Sequence, residues 1–223
     1  MSEPKPTKVI ILVRHAESNG NVRFQAANRC WRSAAHCSMP SCSDVKMLCD
    51  FLRITFCSEI KSTLRDPELS DVGEAQAANV ASQLQECNFM RNEGVELVVH
   101  SGMRRTKRTC DVLFGSSQTT TIEKRVFREW DLIESLTGES CGCSSDGTWA
   151  TRVHACLEYL AMRPEQVIVV VGHGMLFKAF QRGSGAKEQF GNVEMRRFHL
   201  DVTSLTMDAG ELLFQPALTA PME

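Results

Sequence analysis

The 223-residue sequence lacks an excess of charge of either sign. It contains 25 lysine and arginine residues and 27 aspartate and glutamate residues, so its formal net charge is −2. Proteins that bind nucleic acid through the backbone phosphates usually carry a basic bias. The balanced composition therefore argues against nucleic acid as a partner.

Long apolar runs are also missing. Residues 1–8 contain a glutamate and two prolines instead of the apolar stretch of a secretory signal. No later segment approaches the roughly 20 apolar residues that a membrane-spanning helix needs. We therefore expect no association with membranes and a cytoplasmic location.

Ten cysteines are present, but none of them forms a C-x-x-C unit. That spacing is typical of zinc sites and redox motifs, and disulfide frameworks are expected mainly in secreted proteins. Reduced, partly buried thiols are the favoured interpretation. The nearest approach to a metal cluster is His36, Cys37 and Cys42, which lacks a second pair of ligands, so we predict no metal site.

What the sequence does contain is an alternation of strand-like and helix-like segments. Short apolar and β-branched runs predict strands at 9–13, 95–100, 120–124 (an edge strand), 167–171, 196–203 and 211–214. Apolar residues at helical spacing predict helices at 71–86, with Ser70 as N-cap, and at 103–113 and 150–162. This order is typical of a three-layer α/β/α sandwich with a mainly parallel central sheet, here as one domain over residues 1–223.

Three of the predicted strands lead into side chains that suit a phosphate. Arg14 and His15 follow the first strand, Arg105 lies in the helix after the second, and His173 follows the strand at 167–171. Ligands of open α/β sheets bind at the carboxyl ends of the strands, so we expect these four side chains to meet at one edge of the sheet. There the arginines would hold a phosphate and His15 would attack it.

Five short motifs resemble those of the histidine phosphatase superfamily, also called the phosphoglycerate mutase-like family, and they follow one another in the same order as in that family. Its R-H-G signature reads R-H-A at residues 14–16, and its D-x-x-L-[ST]-x-x-G block is similar to residues 66–73. Its S-P-L-x-R-[AT]-x-x-T, L-x-E and G-H-G blocks resemble residues 101–109, 127–129 and 172–174. The resemblance covers most of the chain and implies a phosphoglycerate mutase-like fold.

The resemblance also implies a metal-independent phosphatase that needs no cofactor. His15 would form a phosphohistidine, which divides one difficult displacement into two easier ones. Arg14, Arg105 and His173 would hold the phosphoryl oxygens through the transition state. Glu129 would protonate the leaving oxygen as a general acid and then activate water as a general base.

Further positions of the motifs are implied to bind substrate. Asn21 would supply a neutral donor, and Gly174 belongs to the G-H-G block. Ser18 is as well suited to cap the first helix as to contact a ligand. Asn192 resembles an asparagine found near the pocket in some relatives.

The chain departs from the family pattern at Gly102, where proline is usual, and we expect this glycine to loosen the turn before the helix that carries Arg105. It also carries an insertion at about 22–65, whose front half, residues 26–43, reads as a loop or broken helix. The back half, 43–64, has apolar residues at helical spacing. We expect the insertion to cover the pocket mouth. Its arginines are candidates for substrate selection, although a structural cover is equally consistent: Arg23, Arg29 and Arg32.

The residues after Glu129 and after His173 distinguish a phosphatase from a mutase. Cofactor-dependent phosphoglycerate mutases carry E-R-H-Y-G and G-H-G-N-S, whereas Glu129 precedes W-D-L-I-E here and His173 precedes G-M-L-F. Transfer to water is therefore favoured, with a phosphorylated small molecule or a phosphoprotein as substrate. A mutase, a fructose-2,6-bisphosphatase and a non-catalytic phosphate-binding module are weaker alternatives, and the oligomeric state stays open.

We predict that Glu129→Gln slows turnover of a phosphomonoester by roughly 10²–10⁴-fold, the usual contribution of a positioned general acid. The binding of phosphate or vanadate should be largely unchanged, because the phosphate-binding side chains are intact. Steady-state kinetics and vanadate titration test both statements. Wild-type turnover in this variant would move the role to another acid of the same loop, first Asp131 and then Glu134.

Overall fold

A computed structural model describes residues 6–35, 41, 43–46, 49, 66–128, 149–181 and 189–215. Glu129, Asp131 and Glu134 lie outside the described residues, as do the cysteine and histidine residues considered for zinc. Of the helix predicted at 43–64, only residues 43–46 and 49 are described, and they are helical.

The fold is built around a seven-stranded mixed sheet. The strands are β1 (Thr7–Arg14), β2 (Leu97–His100), β3 (Thr120–Glu123), β4 (Val167–Gly172), β5 (Met195–Asp201), β6 (Thr206–Met207) and β7 (Glu211–Phe214). Their order is β3-β2-β4-β1-β5-β6, and β7 also pairs with β5. Strands β3, β2, β4 and β1 are parallel to one another, and β5 runs antiparallel to β1, β6 and β7.

Six helices are described around this sheet. They are α1 (Asn19–Ala35), α2 (Asp71–Glu86), α3 (Phe89–Asn92), α4 (Arg104–Phe114), α5 (Trp149–Met162) and α6 (Gly174–Phe180). The predicted strands and the three predicted helices are confirmed to within one or two residues at each end, and β3 is the edge strand that the sequence indicated.

Alternate residues of the central strands enter two separate cores. Ile11 and Val13 of β1 pack in the core that includes residues of α2, α3 and α4, whereas Ile10 and Leu12 pack in the core that includes residues of α5 and α6. A strand buried on both faces reads as a continuous apolar run, which explains the V-I-I-L-V segment. The α/β/α sandwich inferred from the sequence is therefore confirmed.

The prediction of a loop or broken helix at residues 26–43 was wrong for its first part, because α1 is a continuous helix of 17 residues. Its start is a capping box: the Ser18 hydroxyl accepts the Asn21 N–H at 3.3 Å, and Asn21 Oδ1 accepts the Ser18 N–H at 3.1 Å. Phe24 and Trp31 of this helix are exposed. Hydrophobic periodicity could not mark the helix, because its large apolar side chains do not lie on the buried face.

The start of α2 is fastened to the loop after β1. The Ser70 hydroxyl accepts the Gly73 N–H at 3.0 Å, which confirms Ser70 as the N-cap, and it donates to Glu17 Oε1 at 2.7 Å. The Ser70 N–H donates to the Glu17 carbonyl at 3.0 Å, and the Asn19 N–H donates to the Glu68 carbonyl at the same distance. A Cβ at Gly73 would overlap the Glu17 carbonyl oxygen. The glycine of the D-x-x-L-S-x-x-G block is therefore required by this close approach.

We predict that Gly73→Ala destabilises the protein by about 1–3 kcal/mol, the usual cost of overpacking a close contact. The sign is informative, because glycine to alanine inside a helix normally stabilises by up to about 1 kcal/mol. Urea unfolding tests this, with Val72→Ala as the control because Val72 is 52% exposed on the same turn. Increased stability of Gly73→Ala would contradict the close packing of α2 against Glu17.

Candidate active site

The carboxyl ends of β1 and β4 place the predicted site residues side by side. Arg14 is opposite Gly172 in the parallel register, and the His15 N–H donates to the Gly172 carbonyl at 3.0 Å. The rings of His15 and His173 are 5.3 Å apart between centroids and meet edge to face. Both histidines are buried, with 2% and 0% of their surfaces exposed.

The tautomer of His15 is determined by its neighbour in the chain. Its Nδ1 lies 2.6 Å from the Ala16 carbonyl oxygen, which can only accept, so Nδ1 carries the hydrogen. In the neutral ring the lone pair is then on Nε2. This is the state of an imidazole that can act as a nucleophile.

The backbone N–H of Ala16 is bound by a side chain of α4. The Ala16 N–H donates to Thr109 Oγ1 at 3.1 Å, and the Thr109 hydroxyl donates to the Arg105 carbonyl at 2.8 Å. Thr109 is fully buried, with no exposed surface. The last residue of the motif at 101–109 thus positions the loop after β1, a role that the sequence did not indicate.

His173 belongs to a chain of hydrogen bonds whose directions are fixed by the donors available. Arg105 Nη2 can only donate, so His173 Nδ1, at 3.3 Å, accepts. His173 Nε2 then carries the hydrogen and donates to the Ser101 hydroxyl at 2.9 Å. Ser101 bonds to the Thr106 hydroxyl at 2.8 Å, which donates to the Met103 carbonyl at 2.8 Å. The His173 ring therefore presents Nδ1, and not Nε2, to Arg105.

Arg14 is held by the segment that precedes β5. Its Nη1 donates to the Phe190 carbonyl at 2.6 Å, and its backbone bonds to Val193 and Glu194. A Cβ at Gly174 would lie 3.3 Å from Arg14 Nε, so the absence of a side chain there leaves room for the guanidinium. This contact gives Gly174 a packing role next to Arg14, and substrate binding by Gly174 stays a prediction.

Electrostatics keep both histidines neutral. Burial, together with the positive charges of Arg105 and Arg14, holds the pKa of His15 well below its usual value. The pKa of His173 is also well below its usual value, through burial first and then the charges of Arg105, His15, Arg14 and Arg152. A site with one buried arginine, one half-buried arginine and neutral imidazoles is suited to an anion.

Two other residues expected to bind substrate take part in the start of α1. The side-chain oxygen of Asn21, Oδ1, accepts hydrogen bonds from the Ser18 N–H and hydroxyl. The side-chain nitrogen, Nδ2, is therefore the group that Asn21 can offer to a ligand. Ser18 has the capping role that the sequence left open. In the insertion, Arg29 forms a two-pronged pair with Asp44, at 2.6 and 3.1 Å, which favours a structural role for this arginine.

The turn before Arg105 does not have the looseness expected from Gly102. Gly102 has φ +78°, a left-handed conformation that proline cannot adopt. Its N–H donates to His100 Nδ1 at 3.1 Å, and the Arg104 N–H donates to Asp66 Oδ1 at 2.7 Å. Asp66 Oδ1 is also 3.9 Å from Arg105 Nη1. The turn is therefore ordered, but by a left-handed glycine conformation that differs from the one a proline would impose.

A family model described as histidine phosphatase superfamily (branch 1) matches residues 58–141 of this chain. The matched range includes the motifs at 66–73, 101–109 and 127–129. The solved structures that this chain resembles include phosphatases with the same fold. The resemblance to the histidine phosphatase superfamily is confirmed. No curated protein sequence matches the chain.

Structures named as phosphatases are among those that this chain resembles. The putative phosphohistidine phosphatase SixA from Agrobacterium tumefaciens is 12% identical, with a TM-score of 0.53, and the match covers 94% of this chain and 99% of that one. A mycobacterial glucosyl-3-phosphoglycerate phosphatase in complex with VO3 is 17% identical, with a TM-score of 0.52 and the same coverage. YhfR of Bacillus stearothermophilus is 12% identical, with a TM-score of 0.55 and coverage of 95% and 98%.

Metal-binding clusters and membrane spans are absent from the part of the chain that the structure describes. No group of three or more histidine, cysteine, aspartate or glutamate side chains there is arranged to hold a metal ion. Within the same residues, no helix has the length and apolar character required to span a bilayer.

We predict that three buried histidines, His15, His173 and His100, make the protein less stable in mild acid, because burial lowers the pKa of each. All three would titrate near pH 6.5 in the unfolded chain but stay neutral below that pH in the folded protein. The unfolded state therefore binds more protons as the pH falls below about 6.5. The free energy of unfolding should decrease by up to about 1.4 kcal/mol per pH unit for each histidine, until the pH reaches its folded pKa.

Urea unfolding between pH 7.5 and 5 in phosphate-free buffer measures this effect. His15→Gln should show a shallower decline than the wild type, because one of the three groups is removed. His154→Gln is the control, since the His154 side chain is 61% exposed. An identical slope for His15→Gln and the wild type would contradict a neutral, buried His15.

Proposed function

We propose that this protein is a metal-independent phosphatase that hydrolyses a phosphomonoester through a phosphohistidine on His15. The observation that carries the proposal is the His15 hydrogen bond to the Ala16 carbonyl, which leaves the lone pair on Nε2 beside two arginines. A neutral nucleophile within a positive field is what attack on a phosphate dianion requires. The resemblance to structures named as phosphatases supports the same conclusion.

In the first step, His15 Nε2 attacks phosphorus and the bond to the ester oxygen breaks. Arg14 and Arg105 offer planar donor groups that match the phosphoryl oxygens and offset their charge in the transition state. Glu129 supplies the proton that the leaving oxygen takes up. The products of this step are an alcohol and the phosphohistidine.

In the second step, water attacks the phosphohistidine. Glu129, now a carboxylate, takes a proton from the water, and the bond between phosphorus and Nε2 breaks. Phosphate leaves, and His15 returns to its neutral tautomer. The hydrogen bond from Nδ1 to Ala16 holds the ring in one orientation through both steps.

His173 changes its hydrogen-bonding role when an anion binds. Its Nδ1 accepts from Arg105, so the neutral ring has no hydrogen to offer on that side. The negative charge of a phosphate favours protonation of Nδ1, which then donates to a phosphoryl oxygen. Ser101 can continue to accept from Nε2 in both states. We infer that phosphate binding takes up a proton at His173.

The substrate class is a phosphorylated small molecule or a phosphoprotein. The solved structures named above include a phosphatase of glucosyl-3-phosphoglycerate and a putative phosphatase of phosphohistidine. The absence of the mutase motifs after Glu129 and His173 favours water as the phosphoryl acceptor. The proposed location is the cytoplasm.

We predict that the wild-type protein hydrolyses p-nitrophenyl phosphate in the presence of EDTA and that His15→Ala lowers kcat/KM by at least about 1,000-fold, as expected for loss of a nucleophile. An alkaline detergent quench during turnover of a ³²P-labelled ester should trap a phosphoenzyme in the wild type but not in His15→Ala, and later acidification should release its label as phosphate. His154→Ala is the matched control, because it removes an exposed histidine.

Comparable turnover by the wild type and His15→Ala would overturn the His15 mechanism. If the wild type bound vanadate but showed neither turnover nor phosphoenzyme with any ester of a broad panel, the protein would be a phosphate-binding module instead. Transfer of the label to an added alcohol or sugar phosphate in preference to water would favour the mutase alternative.

A further inference from the structure

A buried arginine that no motif indicated lies close to the site. Arg152 is in the first turn of α5 and has only 6% of its surface exposed. Its Nη1 donates to the carbonyl oxygen of Arg128 at 2.7 Å. A guanidinium is costly to bury unless its donors are used in good hydrogen bonds, so this contact is a specific one.

The Arg128 peptide is fastened from two further directions. The Arg128 side chain donates from Nε to the Ser101 carbonyl at 3.2 Å, which ties the segment to the turn behind His173. Cys156, one turn after Arg152 on α5, donates from Sγ to the Val126 carbonyl at 3.3 Å. Phe127 between them is fully buried. Residues 126–128 are thus held between α5 and the Ser101 turn.

The carbonyl that Arg152 holds belongs to the peptide unit that links Arg128 to Glu129. The hydrogen bond holds the carbonyl end of Arg128, the last described residue before Glu129 in the chain. We propose that Arg152 is a positioning residue, which holds the start of the segment that leads to Glu129 and thereby supports proton transfer by that acid. The inference deepens the proposed function and rests on it, since it needs Glu129 as the general acid.

An electrostatic role for Arg152 makes a different prediction from a positioning role. Its positive charge is near enough to contribute to the low pKa of His173. If Arg152 served mainly to strengthen the field around the phosphate, its loss would weaken phosphate binding and slow all esters equally. A positioning role for the acid predicts a loss that depends on the leaving group, because only poor leaving groups need a proton.

The test compares phenyl phosphate, a poor leaving group, with 2,4-dinitrophenyl phosphate, which leaves without protonation. Arg152→Met retains an unbranched stem of similar shape but has neither donor nor charge. We expect its kcat/KM for phenyl phosphate to fall by about 10–100-fold, the usual effect of misplacing a catalytic group by about 1 Å. For 2,4-dinitrophenyl phosphate the decrease should be below about 3-fold.

Two further variants make the comparison specific. Arg152→Lys, which retains a donor and the charge, should show the same dependence on the leaving group with a smaller loss, and it serves as the test variant if Arg152→Met does not fold. Arg125→Met is the matched control, because Arg125 lies on the same segment with 73% of its side chain exposed. It should behave as the wild type with both esters.

A double-variant cycle links Arg152 to Glu129. In the Glu129→Gln background, Arg152→Met should cause no further loss with phenyl phosphate, because the group that it positions is already gone. Independent losses that multiply would overturn the proposal. Equal losses with both esters, accompanied by weaker vanadate binding, would also overturn it and assign Arg152 to the phosphate field. Failure of the proposed function would look different, because the wild type itself would then turn over neither ester.

Discussion

The hydrogen bond from His15 Nδ1 to the Ala16 carbonyl is the interaction on which the rest of the site depends. It decides which ring nitrogen carries the lone pair, and a backbone carbonyl can do this only if its own peptide is immobile. Two elements hold the backbone around it. The N–H of that peptide belongs to Glu17 and donates to Gln76 Oε1 of α2 at 3.1 Å, and the Glu17 carbonyl accepts the Ser70 N–H at 3.0 Å. On the other side of Ala16, its own N–H donates to Thr109 of α4. The motifs at 66–73 and 101–109 therefore support the backbone beside His15.

The second constraint is electrostatic. Arg14 and Arg105 bring positive charge to two histidines that are almost completely buried, and the result is that both rings remain neutral. Under the proposed function, a phosphate dianion complements the charge of these two arginines. The same arrangement would keep His15 in a nucleophilic state and let His173 accept a proton when the anion binds. In that proposal, binding and activation share one physical origin.

Much of the fold was predictable because the central strands are buried on both faces and read as uninterrupted apolar runs, as at residues 9–13 and 167–171. The meeting of Arg14, His15, Arg105 and His173 was predictable because parallel strands present their carboxyl ends at one edge. Helix α1 escaped prediction because Phe24 and Trp31 are exposed, so its periodicity was misleading. The turn at Gly102 escaped because a left-handed glycine and a proline order a turn by opposite backbone conformations, which residue type alone does not distinguish.

By itself, the sequence determined the element order, the side chains proposed to react and the absence of the mutase motifs, because these depend on periodicity and on residues next to one another in the chain. Only the tertiary structure decided the tautomers of His15 and His173, the support given by Thr109 and the contact of Arg152 with Arg128. Each of these joins groups that are distant in sequence, with the sole exception of the bond from His15 to Ala16, and even that bond depends on backbone that α2 and α4 hold. The direction of a hydrogen bond is set by which donors and acceptors meet in space, and that information is absent from any local pattern.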